Sequence, residues 1–323
     1  VSFYGDNHPY YAGSVVKAMA SAKHGFVHVA ALFPDGASLA PADQHEAALL
    51  RARERLRQVR ESLGRGFIFA VAGDATAKSF DVTKPENRDR WIGKFGRCVL
   101  DFGAGHLHET RILRSLGVTV TPFEPYRVAE SNEIDKEASV ALAREFLHAI
   151  GTEKLRYSSI FISSVLNSVP FRADREHIVC ICAALAHATT RLYAVASASN
   201  HINIKQLNGY HSLNERQSSG VLFQMDYEEG ITLGDIATSP KVQKYHSQRE
   251  FYDLFKLFFE KVSVDECNQN VQAICAKPLE LNIKRLKAAI EFEFDLPYPD
   301  GSRMGLVEEA KQIGRASCRE RVS

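Results

Sequence analysis

The part of the sequence that most constrains the fold is a short apolar run that ends in two closely spaced glycines. Residues 98–102 read Cys-Val-Leu-Asp-Phe, which is typical of a strand buried on both faces of a parallel sheet. Gly103 and Gly105 follow this run. Glycine favours a tight turn and lets a ligand approach the backbone, because no Cβ stands in the way. The run therefore predicts a strand followed by a ligand-binding turn.

A helix and a second strand are predicted after this turn. Apolar residues recur at helical spacing over 107–116, and Gly117 marks the end of that helix. Apolar residues then alternate over 118–123, as they do in a strand. Glu124 follows, at the sheet edge where open α/β sheets bind ligands. The stretch predicts a β–α–β unit with an acidic group beside the glycine turn.

Helices and strands continue to alternate along the chain. The predicted elements are helix 135–150, strand 158–166, helix 174–187, strand 191–196, helix 249–261, two closing strands at 262–264 and 271–276, and helix 279–294. Such alternation with short connections predicts a parallel sheet covered by helices. The expected fold class is α/β, with a doubly wound, mostly parallel sheet.

A dinucleotide-binding turn differs from this one at one position. It has a third glycine where the helix N-terminus meets the pyrophosphate, and His108 stands there in this chain. This difference disfavours an NAD-binding oxidoreductase, which is kept as an alternative.

The order of Asp101, Gly103 and Gly105, followed by the acid Glu124, resembles the first motifs of class I S-adenosylmethionine-dependent methyltransferases. The resemblance covers residues 97–277 and implies a Rossmann-like sheet, S-adenosylmethionine as cofactor and methyl transfer to an N or O acceptor. The family's acid holds the ribose hydroxyls. The cofactor contacts that the resemblance implies are Asp101, Gly103, Ala104, Gly105, Glu124, Ser164, Val165 and Leu166. A non-catalytic methyltransferase-like scaffold module is a further alternative, disfavoured because these motifs are intact.

A narrower resemblance begins at the end of the third predicted strand. Residues 165–167, with Arg175, are similar to a motif of the methyltransferases linked to DNA phosphorothioation. Residues 243–245, with Gln248 and Glu250, match a second motif of that group. This resemblance implies a nucleic-acid context, so DNA and RNA are candidate acceptors.

A related motif and the candidate catalytic residues follow the same strand. Residues 168–171 partly match the motif with which DNA amino-methyltransferases grip a flipped base, although valine replaces its first proline. Asn167 is expected to orient the acceptor. A general base is needed only for an acceptor that is protonated at neutral pH. His201, His211 and His246 are candidates, because imidazole titrates in this range.

The domain organisation predicted from these patterns has a central methyltransferase domain with additions at both ends. The predicted parts are an N-terminal α+β extension at 1–96, the S-adenosylmethionine-binding domain at 97–277 with a substrate-side insertion at 200–247, a C-terminal helical extension at 278–312, and a tail at 313–323. The tail resembles the translation of a sequencing adapter, so we expect it to be non-native and the natural chain to continue differently.

Composition restricts the remaining function classes. The formal net charge of +1 over 323 residues gives no overall field that attracts nucleic acid, so such binding would need a local patch. No apolar run reaches membrane-spanning length and no signal peptide is visible, so we expect a cytoplasmic protein without a membrane partner. Cys180 and Cys182 are separated by one residue, unlike the two of zinc motifs, so no metal is expected. The oligomeric state is not predicted.

Overall fold

The computed structural model describes residues 81–129, 134–152, 155–169, 172–199, 231–234, 241–267, 270–298 and 300–320, all within the compact unit Arg51–Ser323. The helices are α1 (Pro85–Phe95), α2 (His108–Ser115), α3 (Lys136–Thr152), α4 (Arg172–Leu185), α5 (Gln248–Lys256), α6 (Ile283–Glu293) and α7 (Val307–Glu320). The strands are β1 (Cys98–Phe102), β2 (Thr119–Phe123), β3 (Ser159–Ser163), β4 (Arg191–Ser197), β5 (Ile231–Gly234), β6 (Lys241–Lys244), β7 (Phe259–Cys267) and β8 (Asn270–Pro278). Within these ranges, no helix has both the length and the apolar character needed to cross a membrane.

Six strands form one sheet in the order β2-β1-β3-β4-β8-β7. The first four run parallel, β8 is antiparallel to β4, and β7 is antiparallel to β8. This confirms the prediction of a doubly wound, mostly parallel α/β sheet. β5 and β6 form a separate antiparallel pair within the predicted insertion. The N-terminal extension up to residue 80 lies outside the described residues, so its α+β character stays a prediction.

Helices cover both faces of the sheet. Along β1, Leu100 belongs to a large apolar cluster with residues of α3, α4 and α6, whereas Val99 belongs to a second cluster with residues of α1 and α2. This alternation is the burial on both faces that the apolar run predicts. Trp91 anchors the second cluster, with its ring centroid 4.9 Å from that of Phe95.

Several predicted elements end or begin elsewhere than expected. The predicted strand 158–166 ends at Ser163, and a 3₁₀ turn (Leu166–Ser168) follows. The predicted helix 249–261 ends at Lys256, and β7 begins three residues later. The predicted helix 279–294 begins only at Ile283, after the Asn282 side chain caps its first turn. α7 extends to Glu320, into the segment whose adapter origin stays a prediction.

The C-terminal segment (residues 294–306) packs against the end of β2. The ring centroids of Phe294 and Phe123 lie 5.7 Å apart. The Tyr126 hydroxyl donates to the Pro297 carbonyl at 3.0 Å, and the Tyr298 hydroxyl donates to a carbonyl of the loop after β2, that of Pro125, at 3.3 Å. In the described part of the chain, β2 is an edge strand and leads through α3 directly into β3. The C-terminal segment therefore lines the edge of the sheet at the end of β2.

Candidate functional site

The glycine turn is fastened to the end of β2. The N–H groups of Gly103 and Ala104 both donate to the carbonyl of Phe123, at 2.7 and 3.0 Å. Gly103 has a φ of +89°, which favours glycine. A Cβ on Gly103 would also overlap Cγ2 of Val165. These two predicted cofactor contacts therefore pack against each other, and glycine is required at this position by both conformation and space.

Glu124 joins the glycine turn to the loop after β2. Its Oε2 accepts from the Gly105 N–H at 2.9 Å, and its Oε1 accepts from the Tyr126 N–H at 3.0 Å. Burial raises the pKa of this carboxyl, against the opposing effect of the two backbone hydrogen bonds. Each carboxylate oxygen can accept more than one hydrogen bond. Glu124 can therefore hold the turn and still accept two hydroxyl donors from a ligand.

The first turn of α2 lies directly after the glycine turn. Its N-cap residue, Leu107, has a left-handed φ of +59° and gives no side-chain cap. The positive end of a helix favours anionic groups. Asp101 is buried at the end of β1, and the Thr110 hydroxyl donates to its Oδ2 at 3.4 Å. The N-terminus of α2, which favours an anion, therefore lies close to the carboxylate of Asp101, which favours a cation.

The acceptor side of the predicted site is the compact turn after β3. Ser164 has an unusual φ of +60°, and its N–H donates to the Val195 carbonyl at 2.8 Å. Asn167 is buried in the 3₁₀ turn that follows. Nη1 of Arg175 donates to the Val169 carbonyl at 2.8 Å. The first turn of α4 therefore holds the far end of the segment that carries Asn167.

Charged residues of the second narrow motif lie against this turn. Lys244 is fully buried, and its Nζ lies 2.8 Å from Oε1 of Glu250. Burial lowers the pKa of Arg175 to about 10, and the charge of Glu250 opposes this effect. β6 also contacts the 3₁₀ turn. Two motifs that are about 70 residues apart in the sequence thus form one polar cluster.

His246, a candidate general base, is buried beside the same turn. Its ring forms a hydrogen bond with the Leu166 carbonyl. Burial, followed by the charges of Arg175 and Lys244, lowers the pKa of His246 well below its ordinary value. The ring is therefore neutral at neutral pH and can accept a hydrogen bond. His201 and His211 lie outside the described residues, so their roles stay predictions.

Glu293 is a buried carboxyl that the sequence analysis did not predict as a site residue. It is 1% exposed, near the end of α6. Burial and the neighbouring acids Asp174 and Glu124 raise its pKa to about 8. The sequence signal that could have identified Glu293 is its position between two apolar residues, Phe292 and Phe294. An acidic residue is almost never fully buried unless it is paired. Among the described residues, no group of His, Cys, Asp and Glu side chains could hold a metal ion.

Comparisons with known proteins concern the fold. No family model and no curated protein matches the sequence. A solved protein from Pyrococcus horikoshii is 12% identical, with a TM-score of 0.42 over 62% of this chain and 90% of its own. Two S-adenosylmethionine-dependent methyltransferases also match. One, from Methanosarcina mazei, is 17% identical, with a TM-score of 0.38 over 57% of this chain and 93% of its own. The other, from Clostridium acetobutylicum, is 8% identical, with a TM-score of 0.38 over 70% and 99%.

The sheet order and the glycine turn define this chain as a Rossmann-like α/β protein. Likeness at these identities says nothing about chemistry, because one fold hosts many functions. The activity has to be argued from the residues of the site.

Proposed function

We propose that the chain is an S-adenosylmethionine-dependent methyltransferase that transfers a methyl group to an N or O acceptor. The observation that carries this proposal is the Glu124 carboxylate, which is held between the N–H groups of Gly105 and Tyr126 at the end of β2. Its remaining lone pairs suit the two neighbouring hydroxyls of a ribose. The carboxyl edge of the sheet is where a doubly wound fold binds such a ligand.

The residues around the glycine turn fit the amino-acid end of the same cofactor. The first turn of α2 favours a carboxylate, and Asp101 favours an ammonium group. The lack of a side chain at Gly103 lets the turn pack closely against Val165. Bound there, the cofactor would supply an electrophilic methyl group. The task of the chain is then to align the acceptor with that methyl group and to exclude water.

The acceptor would bind beside Asn167. The polar cluster of Arg175, Lys244 and Glu250 supports this assignment, because Arg175 bonds to the Val169 carbonyl at the end of the turn that carries Asn167. The neutral ring of His246 could accept a hydrogen bond from the acceptor. DNA and RNA stay proposed acceptors, on the narrower sequence resemblance, and cytoplasmic location likewise stays a proposal.

Calorimetry with S-adenosylmethionine, S-adenosylhomocysteine and NAD tests the proposal. We expect micromolar binding of the first two ligands, lost in Glu124→Ala and in Gly105→Leu. Glu137→Ala is the matched control, because Glu137 is exposed at the start of α3. Binding of NAD alone would indicate an oxidoreductase, and binding of none of the three would favour a scaffold. A labelled methyl donor would then be offered with DNA, RNA and small acceptors.

A further inference from the structure

Three buried carboxyl groups from distant parts of the sequence lie close together at the carboxyl edge of the sheet. Glu124 follows β2, Asp174 lies in the first turn of α4, and Glu293 lies near the end of α6. Their exposed fractions are 9, 7 and 1%. Glu293 is close enough to the other two for both to act on its charge.

Glu293 carries an unsatisfied oxygen within this group. Oε2 of Glu293 is buried and has no hydrogen-bond partner among the described residues. The charges that act on Glu293 are both negative, and they add to burial in raising its pKa to about 8. A buried polar atom without a partner is costly, so its retention near Glu124, the residue proposed to bind the cofactor, indicates a ligand that satisfies it.

The two sides of α4's first turn differ in charge. Asp174 faces the carboxyl group of Glu293, whereas the next residue, Arg175, acts on His246 together with Lys244. A cation is therefore favoured on the Glu293 side and disfavoured on the His246 side. A positively charged ligand balances the charge of the Glu293 carboxylate. If the ligand also carries an N–H group, it can donate the hydrogen bond that Oε2 lacks.

We infer that the methyl acceptor is an amine whose nitrogen Glu293 binds, while an uncharged part of the acceptor lies beside Asn167 and His246. This inference rests on the proposed function and specifies its acceptor as an aliphatic amine, not a nucleobase, whose amino group is uncharged at neutral pH. The amine binds as an ammonium ion beside the Glu293 carboxylate, and the carboxyl proton of the free protein leaves to solvent. The carboxylate then takes one proton from the ammonium, which frees the nitrogen lone pair. The nitrogen forms a bond to the methyl carbon, the carbon–sulfur bond breaks, and its electron pair stays on sulfur. The methylated ammonium then leaves as product.

Thermal unfolding in the presence of S-adenosylhomocysteine tests this inference with simple probes. A ligand that binds the folded state raises its melting temperature. We expect n-butylammonium chloride to raise the melting temperature of the wild-type protein. We expect no rise with n-butanol, which lacks the charge, or with tetramethylammonium chloride, which lacks an N–H donor. An equal rise with either of these two compounds would overturn the inference.

Two variants assign the effect to Glu293. Glu293→Gln keeps the shape of the side chain, and we expect it to lose the n-butylammonium effect and at least tenfold of methyl transfer to amines. Glu291→Gln, on the same helix but in a partly exposed ion pair with Lys311, is expected to retain both. Retention of the n-butylammonium effect in Glu293→Gln would refute the assignment. The comparison of the three probes on wild-type protein stays decisive even if a variant folds poorly.

Affinity for S-adenosylhomocysteine separates this inference from the proposed function. If the wild-type protein does not bind S-adenosylhomocysteine, the proposed function itself fails. If Glu293→Gln weakens that affinity tenfold or more, the carboxyl group serves the ammonium of the cofactor, and the inference about the acceptor is wrong. Unchanged affinity together with loss of the amine effect supports an acceptor site.

Discussion

Replacing Glu293 with glutamine tests the free energy that its burial costs. The pKa of Glu293 rises from 4.5 to about 8, first because burial disfavours the charged form and then because Asp174 and Glu124 are acidic neighbours. Between these two values, the folded chain keeps the proton and the unfolded chain releases it. The free energy of unfolding therefore decreases as pH rises through this window, and the contribution of Glu293 is complete only below it.

The size of the effect follows from the shift. Linkage sets the slope at about 1.4 kcal/mol per pH unit for one proton, so Glu293 alone should destabilise the protein by about 4 kcal/mol between pH 5 and pH 8. Glutamine has nearly the same shape and does not titrate. We therefore expect Glu293→Gln to be less sensitive to pH than the wild-type protein by this amount.

Urea unfolding at several pH values measures the difference. Trp91 is the single tryptophan of the chain and is fully buried, so its fluorescence reports loss of the core. Groups that do not interact with Glu293 contribute equally to both proteins, so the difference between the two pH profiles reports Glu293 together with its coupling to Asp174 and Glu124. Glu291→Gln should follow the wild-type profile. Parallel profiles for wild type and Glu293→Gln would refute the reasoning.

Two further predictions concern the turns that shape the site. Gly103→Ala should destabilise the protein by about 3 kcal/mol, because the left-handed φ costs about 1–2 kcal/mol and the new methyl group overlaps Val165. Adding Val165→Ala should recover only the part of this free energy that comes from the overlap, as measured by a double-mutant cycle in urea unfolding. No recovery would contradict the packing argument. Glu250→Gln should destabilise the protein by about 1.5–3 kcal/mol, because it replaces a charge-assisted hydrogen bond to the buried ammonium of Lys244 with a neutral one. Lys244→Met should cost less in the same assay, and the reverse order would contradict this account.

The β–α–β unit could be predicted because all of its signals are local. Apolar periodicity located β1, α2 and β2 to within about two residues, and the glycines located the turn. The end of β3 could not be located in this way. Val165 packs against Gly103, and Leu166 is buried in the core. Both residues are therefore apolar, although they lie in a turn and not in a strand. Apolar residues report burial, and burial does not distinguish a strand from a compact turn.

The proposed acceptor side of the site depends on contacts between distant residues. Asn167 and Arg175 could be related by a short motif, but only the structure brings them to Lys244 and Glu250. No sequence motif includes Glu293, because this residue comes close to Asp174 only when α4 and α6 pack on the sheet. Local spacing cannot predict such a neighbour.

The bonds between the C-terminal segment and the loop after β2 affect when the proposed binding site is completed during synthesis. Tyr126 and the Pro297 carbonyl that it contacts are 171 residues apart in the chain. A ribosome completes the glycine turn and Glu124 long before it makes residues 294–306. The apolar face of Phe123 in the nascent chain therefore lacks its contact with Phe294 until the C-terminal segment has been made. A recombinant fragment that ends at residue 277, the domain boundary predicted from the sequence, would remain permanently in that immature state.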